Sequence, residues 1–421
     1  IIWPLRFVLP HDEGLRPAWM LRLGLFLYDH IGGRKRLPAT ETIALGQHPA
    51  GAPLKPEFAK GFVYSDCWAD DARLVVLNAR DAANRGADVR TRCRVSRFAR
   101  ENGVWTIEAG GEKFQARAIV NAGGPGVLKV LEAGHVPDSK RMRLVRGSHI
   151  VLPKLFDHPF AYFFQLPDGR IFFAIPYEED FTLIGTTDVD FKGDPAKVKI
   201  DQDEIDYLCK LASGYFKKPI ASDDVVWTYS GVRPLYAGEG AEANASKVSR
   251  DYTLKLEAKG HQAPALHVFG GKITTYRKLA EHALQIISRE LGAKDTPWTA
   301  GASLPGGDFP NASYDAAFAS YAARYDWMDA VMLKRLMRAY GTRIEQIIGN
   351  AKGVRDLGKC YGHDLYEAEV RYLIDNEWVR DINDLIWRRS KLGLRLSGDQ
   401  VADLGERLAQ ENRDHKSVAA E

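Results

Sequence analysis

The sequence predicts an α/β protein whose last quarter is helical, and three observations lead there. Short β-rich runs are punctuated by Asn102-Gly103, Gly110-Gly111 and Pro167-Asp168-Gly169, the residues that hairpins and tight turns use. Two apolar runs, 118–122 and 266–269, end in glycines, as buried strands do where the backbone must approach a ligand. From about residue 305, apolar residues recur at three- and four-residue spacing without strand alternation.

Composition sets the outer limits. A chain of 421 residues that is 45% hydrophobic and 27% charged has room for two or three globular domains, and disorder, collagen and coiled coil are excluded. No apolar run is long enough to span a bilayer, and a net charge of +3 points to no nucleic-acid partner. Cys67, Cys93, Cys209 and Cys360 lie 26, 116 and 151 residues apart, which suits neither a zinc site nor a disulfide framework and favours a reducing cytoplasm. The chain opens Ile1-Ile2-Trp3-Pro4, without an initiator Met or a signal-peptide pattern, and reads like the interior of a longer protein.

Pro17 opens an apolar helix over Trp19 to Tyr28, closed by Gly32-Gly33 and the basic cluster Arg34-Lys35-Arg36. The first 40 residues hold six Lys or Arg against three acids, an excess equal to the whole-chain charge. Such a helix suits a core position with a solvated basic end, or a place on a membrane surface. Asp70 or Asp71 caps a helix that Gly86 stops, and strands follow over 89–98, 104–109 and 114–120. Four more strands, 144–152, 160–166, 170–175 and 181–186, form an antiparallel sheet carrying a helix over 201–218 with an Asp201/Glu204 capping box. A strand at 225–229 leads into a Gly231-Val232-Arg233-Pro234 turn, and Leu266 to Phe269 leads through Gly270-Gly271-Lys272 into a helix from about Thr274. Thr296 to Pro310, rich in Pro, Gly and small residues, reads as a linker to the helical segment at 305–421.

Few residues point to chemistry on their own. Gly271-Lys272 is no P-loop, because Leu266 and Ile273 stand where Gly and Ser or Thr belong. A strand, two glycines and a lysine opening a helix still aim free N–H groups forward, so the motif is either an anion site or a plain glycine turn with a surface lysine. Arg233 and Arg250, taken singly, suit surface salt bridges, and His149 is a polar residue beside an apolar strand. HExxH, GxSxG and paired Cys/His patterns are all missing, so no metal is expected, and the sequons at Asn244 and Asn311 read as chance.

Longer motifs carry a resemblance. Tyr64 to Leu74, Arg146-Gly147-Ser148-His149-Ile150-Val151, Gly185-Thr186-Thr187-Asp188, Trp227 to Pro234, Val268 to Glu281, Leu365 to Glu369 and Leu385 to Lys391 resemble the aerobic FAD-dependent glycerol-3-phosphate dehydrogenases over nearly the whole chain. The resemblance implies the D-amino-acid-oxidase structural class: a Rossmann-like FAD-binding domain assembled from separated stretches, an antiparallel-sheet substrate domain and a C-terminal all-helical domain. On this chain the FAD domain would take 1–142, with an inserted substrate-domain portion, and 266–295; the substrate domain 143–265; and the helical domain 305–421.

The implied reaction is oxidation of glycerol 3-phosphate at C2 to dihydroxyacetone phosphate, with hydride transfer to flavin N5 and electrons passed to ubiquinone. As the resemblance implies, Arg233, Arg250 and Lys272 bind the phosphate, Arg233 and Lys272 also stabilise developing negative charge, and His149 is the proton acceptor. Val95, Gly123, Gly271, Lys272, Ile273 and Thr274 contact FAD. A homodimer bound peripherally to the inner face of the cell membrane is implied too. The nearest rivals are a glycerophosphate oxidase that uses oxygen and a catalytically silent fragment of the dehydrogenase. An amino-acid or 2-hydroxyacid oxidase fits less well, because its substrate has no phosphate for these cations.

Two departures from the family pattern stand out. Asn121-Ala122-Gly123-Gly124-Pro125-Gly126 replaces a pattern with Thr third and Trp sixth. The family's opening strand, G-x-G-x-x-G turn and helix are not found ahead of Ile1, a stretch of roughly 80 residues that includes the ~30-residue βαβ unit. The chain alone is therefore expected to hold FAD weakly.

Overall fold

The computed structural model describes residues 1–12, 16–31, 37–134, 141–166, 168–185, 188–237, 251–258, 260, 262–294 and 296–418, with the side chains of 141, 237 and 414–418 left out. The chain divides into two compact units: one of 1–2, 69–91 and 298–421, the other of 3–68 and 92–297.

The larger unit is built on a nine-stranded mixed sheet. In chain order its strands are β1 (Ile2–His11), β2 (Glu41–Ala44), β3 (Lys60–Ala69), then, after the smaller sheets described below, β8 (Arg141–Pro153), β9 (Ala161–Gln165), β10 (Ile171–Tyr177), β11 (Phe181–Gly185), β12 (Val189–Asp190) and β13 (Trp227–Ala237). Across the sheet the order is β12-β8-β11-β10-β9-β1-β3-β2, and β13 pairs with β8 over its whole length. β1 runs parallel to β9, and β8 to β11 are mutually antiparallel where they pair.

Alternation of side chains gives the sheet two distinct faces. Ile150, Leu152, Tyr162, Phe164, Phe172 and Ile184 join Leu208, Cys209 and Ala212 of a helix over Gln202–Ser213 in one core. Each fully buried side chain of this size contributes about 1.5–3 kcal/mol. His149, Gly147 and Val145 are on the opposite parity of β8 and face away from that helix.

Two smaller sheets complete this unit. β4 (Val95–Glu101), β5 (Val104–Ala109) and β6 (Glu112–Ala116) form an antiparallel meander whose turns place Asn102, Gly103, Gly110 and Gly111 at positive φ. The first of these strands starts at Val95, because 88–94 has no ladder partner. β7 (Ile119–Asn121) pairs in parallel with β15 (Ala265–Phe269), which pairs antiparallel with β14 (Thr253–Glu257). A parallel pair with helices after both strands, Val127–Ala133 and Tyr276–Glu290, has the Rossmann-like layout.

The apolar helix near the start forms over Ala18–His30 but has no buried residue. Trp19, Leu23, Phe26, Leu27 and Tyr28 are all exposed, which overturns its reading as a core helix.

The second unit packs a helix over Asp71–Asn84 with helices over Tyr314–Arg324, Ala330–Tyr340, Ile344–Ile348, Glu367–Glu377 and Gly398–Val418. Its core includes Leu336, Tyr340, Leu373 and Leu385. The helical expectation for this stretch misses a two-stranded ribbon, Cys360–Gly362 against Leu365–Tyr366. The expected linker is also tied down: Thr342 donates its N–H to the Gly306 carbonyl at 3.0 Å, and a Cβ on Gly306 would overlap the Tyr340 carbonyl.

Candidate functional site

On the face of the large sheet opposite the Gln202–Ser213 helix, β13 and β8 set Tyr229 beside His149, Gly231 beside Gly147 and Arg233 beside Val145. Arg233 is therefore inside a strand rather than in the expected turn. Pro234 suggested the turn, but β13 pairs only with β8 among the described strands, and a strand with one open edge tolerates proline.

The Arg233 side chain folds back over Gly147, where a Cβ would stand 3.0–3.2 Å from its guanidinium atoms. It pairs with Asp188, and both side chains are about half exposed. His149 is two residues further along β8, about 6.5 Å from Gly147. A Cβ on Gly231 would meet nothing within 4 Å. The two glycines form a trough in this face, with the guanidinium lying in it over Gly147 and the imidazole two residues along β8.

His149 stacks on Tyr229 with ring centroids 4.8 Å apart and planes 6° from parallel. Burial, and then the nearby Arg233 charge, lower its pKa to about 4, so the ring is neutral at pH 7 and able to accept a proton. Its Nδ1 is buried with no hydrogen-bond partner among the described residues, and its Cδ2–Nε2 edge lies over Gly185. Behind the trough, Ser148 donates to Glu204, and Glu204 also binds Arg146 at 2.8 Å. Asp201 caps its helix by accepting the Glu204 N–H, but the return half of the expected capping box is missing because the Glu204 carboxylate is engaged with the sheet.

The second group of expected residues lies at the carboxyl ends of β7 and β15. Gly270 and Gly271 follow β15 at φ +69° and +107°, a backbone open mainly to glycine. A short 3-10 turn over Ile273–Thr275 then opens the Tyr276–Glu290 helix, and Lys272 makes no side-chain cap, so N–H groups and the dipole's positive end face outward. Gly270 brings this turn against β13: a Cβ there would be 3.9 Å from the Pro234 carbonyl oxygen, one residue beyond Arg233. After β7, Gly123 donates its N–H to buried Asn121, whose amide also donates to the Val127 carbonyl, and Gly124 is at φ +53°.

These features fit the isoalloxazine end of a flavin. Ligands of such sheets bind at the carboxyl ends of parallel strands, and Val120 and Ile273 are large apolar residues exposed there. Gly123, Gly271, Lys272, Ile273 and Thr274 are the residues that would hold it. The described residues contain no glycine-rich strand, turn and helix of the kind that cradles a dinucleotide pyrophosphate.

His149 and Arg233 thus share one sheet face, and the Lys272 turn adjoins β13. Val95 is apart from these, at the start of the β4 to β6 meander, and Arg250 lies outside the described residues. Tyr229, Asp188, Gly147 and Gly185 were not anticipated from sequence. Only the cross-strand register reveals them, although Tyr229 and Arg233 are four apart, the spacing that repeats one face of a strand.

Known proteins place the chain in a family. The sequence model described as FAD dependent oxidoreductase matches residues 1–277, and the one for the C-terminal domain of alpha-glycerophosphate oxidase matches 298–416. Aerobic glycerol-3-phosphate dehydrogenase of Escherichia coli (strain K12) is 45% identical over 427 residues, covering 100% of this chain and 84% of the relative. D-erythritol 1-phosphate dehydrogenase of Brucella abortus is 46% identical over 407 residues, covering 94% of this chain and 80% of the relative. The solved glycerol-3-phosphate dehydrogenase from Bacillus halodurans, complexed with FAD, superposes with a TM-score of 0.72 at 22% identity, covering 98% of this chain and 82% of that one. The chain belongs to the aerobic glycerol-3-phosphate dehydrogenase family of FAD-dependent oxidoreductases.

Proposed function

We propose that this chain oxidises glycerol 3-phosphate at C2 to dihydroxyacetone phosphate. The observation that carries the reading is the pairing, on one sheet face, of a half-exposed guanidinium lying over Gly147 with a neutral histidine two residues along the same strand. Arg233 binds the phosphate by exchanging Asp188 for it, and its planar fork suits two phosphate oxygens at once. Lys272 and Arg250 add positive charge for a dianion. His149 takes the C2 hydroxyl proton at Nε2 while a C2=O bond forms. The N–H groups at Ile273 and Thr274 stabilise negative charge that develops nearby. FAD held by Gly123, Gly271, Lys272, Ile273 and Thr274 would supply a two-electron acceptor for the C2 hydride, with ubiquinone as the final acceptor of the electrons.

Membrane attachment is part of this reading. No helix of the described residues is long and apolar enough to cross a bilayer, but the Ala18–His30 helix offers Trp19, Leu23, Phe26 and Leu27 to a surface. We expect peripheral binding to anionic vesicles that weakens with salt, by a homodimer. Salt-independent flotation, or none at low salt, rejects the lipid contact, and light scattering tests the dimer.

A second reading, oxidation of a four-carbon polyol phosphate, is favoured by the open floor at Gly231 and by the Brucella abortus relative. The deciding experiment measures flavin absorbance and dye reduction with both phosphate esters. A colourless, inert protein would reject both readings in favour of a silent fragment. Peroxide formed without quinone would make the enzyme an oxidase.

A further inference from the structure

The imidazole of His149 is held by two neighbours that the proposed mechanism leaves without a role. Tyr229 is its cross-strand partner on β13 and stacks on its face. Gly185 is its partner from the other side, on β11. A Cβ on Gly185 would come within 2.2 Å of Cδ2 and 2.6 Å of Nε2, closer than any two such atoms can stand. The backbone does not ask for glycine at this position, since Gly185 ends a regular strand and is absent from the positive-φ residues. A glycine in a buried strand gives up side-chain packing and backbone entropy. The ring edge lying over it accounts for its presence.

We propose that Gly185 and Tyr229 are positioning residues for His149, Gly185 leaving room for the Cδ2–Nε2 edge of the ring and Tyr229 fixing the plane in which it lies. The inference rests on the reading of His149 as proton acceptor, but it concerns the placement of the ring and can be tested separately. Tyr229 and Arg233 of β13 are the titratable and charged groups that face the imidazole among the described residues, with Arg233 paired to Asp188.

The experiment combines kinetics with NMR of the full chain. The His149 ring resonance is assigned by its loss in His149→Gln and titrated in the wild type, Gly185→Ala, Tyr229→Leu and Tyr229→Phe. Gly185→Ala should shift that resonance and its titration midpoint upward. It should also lower kcat roughly 100-fold with KM for glycerol 3-phosphate changed less than about threefold. Tyr229→Leu should do the same more weakly, and Tyr229→Phe should restore what Leu loses, because the stack needs the ring and not the hydroxyl. A folded Gly185→Ala protein with a wild-type His149 titration and kcat overturns the proposal. If Gly185→Ala fails to fold, a Tyr229→Leu titration and kcat like those of the wild type overturn it equally. Should His149→Gln retain full activity while Gly185→Ala moves the ring resonance, the positioning stands and the proton-acceptor role falls.

Discussion

Each unit holds an arginine against a carboxylate, and the two pairs are built in opposite ways. Arg73 is buried to 2% exposure, and its guanidinium meets Glu377 at 2.5 and 2.8 Å, the Ala339 carbonyl at 3.0 Å and the face of Tyr340 at 4.9 Å. Arg335 is held similarly by Asp364 at 2.8 Å and Glu369 at 2.7 Å, and Tyr340 donates its hydroxyl to Glu369. In the other unit Arg233 and Asp188 are half exposed, and the guanidinium rests on a glycine. A charge in the first setting has no alternative partner, so its carboxylate raises the arginine pKa despite complete burial. A charge in the second can exchange its carboxylate for an incoming anion at little cost. Burial separates an arginine that holds the fold from the one proposed to receive the phosphate.

The comparison can be broken most severely at Arg73. Arg73→Met leaves Glu377 buried without its partner and should cost about 3–5 kcal/mol of stability, whereas Arg73→Met with Glu377→Leu should recover most of that loss. Denaturant midpoints for the single and double variants check this, and equal midpoints would remove the distinction. Arg233→Ala should reverse the pattern. Its midpoint should stay near wild type while kcat/KM for glycerol 3-phosphate falls by about 1.5–3 kcal/mol, roughly 10- to 150-fold.

A pH series sharpens the same contrast at the histidines. Burial, as the largest influence, lowers both His149 and His158 from the ordinary imidazole value of 6.5 to about 4. The unfolded chain takes up these protons first, so the stability they contribute is present above pH 6.5 and is lost as pH falls toward 4. The denaturant midpoint should be lower at pH 5 than at pH 7, and His158→Gln should flatten that dependence. The smallest effect should come from Asp70→Ala, which removes the cap accepting the Arg73 N–H and should cost about 1 kcal/mol, measured the same way.

Local chemistry made much of the fold legible. Asn102-Gly103 and Gly110-Gly111 can take positive φ, so the meander is readable, and Asp70 and Asp201 announce the starts of their helices. Features that depend on register or on distant partners were not readable. Pro234 hid the continuation of β13, and with it the alignment of Arg233, Gly231 and Tyr229 on one face. Gly306 looked like a linker residue because nothing near it in sequence shows that Gly341 packs against it. His149 and Arg233 were found through motif resemblance, and the glycines that give them room had no signal besides their occurrence in strands.

The helix over Asp71–Asn84 has a consequence for how the chain is made. Its anchor, Arg73, bonds to Glu377, 304 residues later in the sequence. At about 5–20 residues per second, a ribosome needs roughly 15–60 s to deliver that partner after the helix has been synthesised. Throughout that interval a helix of zero net charge with Arg73 unpaired by Glu377 and Leu74, Val76 and Leu77 uncovered must wait outside any native environment. Its closure then bears the loop entropy and slow search of a long-range contact. Synthesis should therefore leave this helix as the segment most dependent on chaperones, and nascent chains stopped before Glu377 should be cut by protease within 71–84 while completed chains resist.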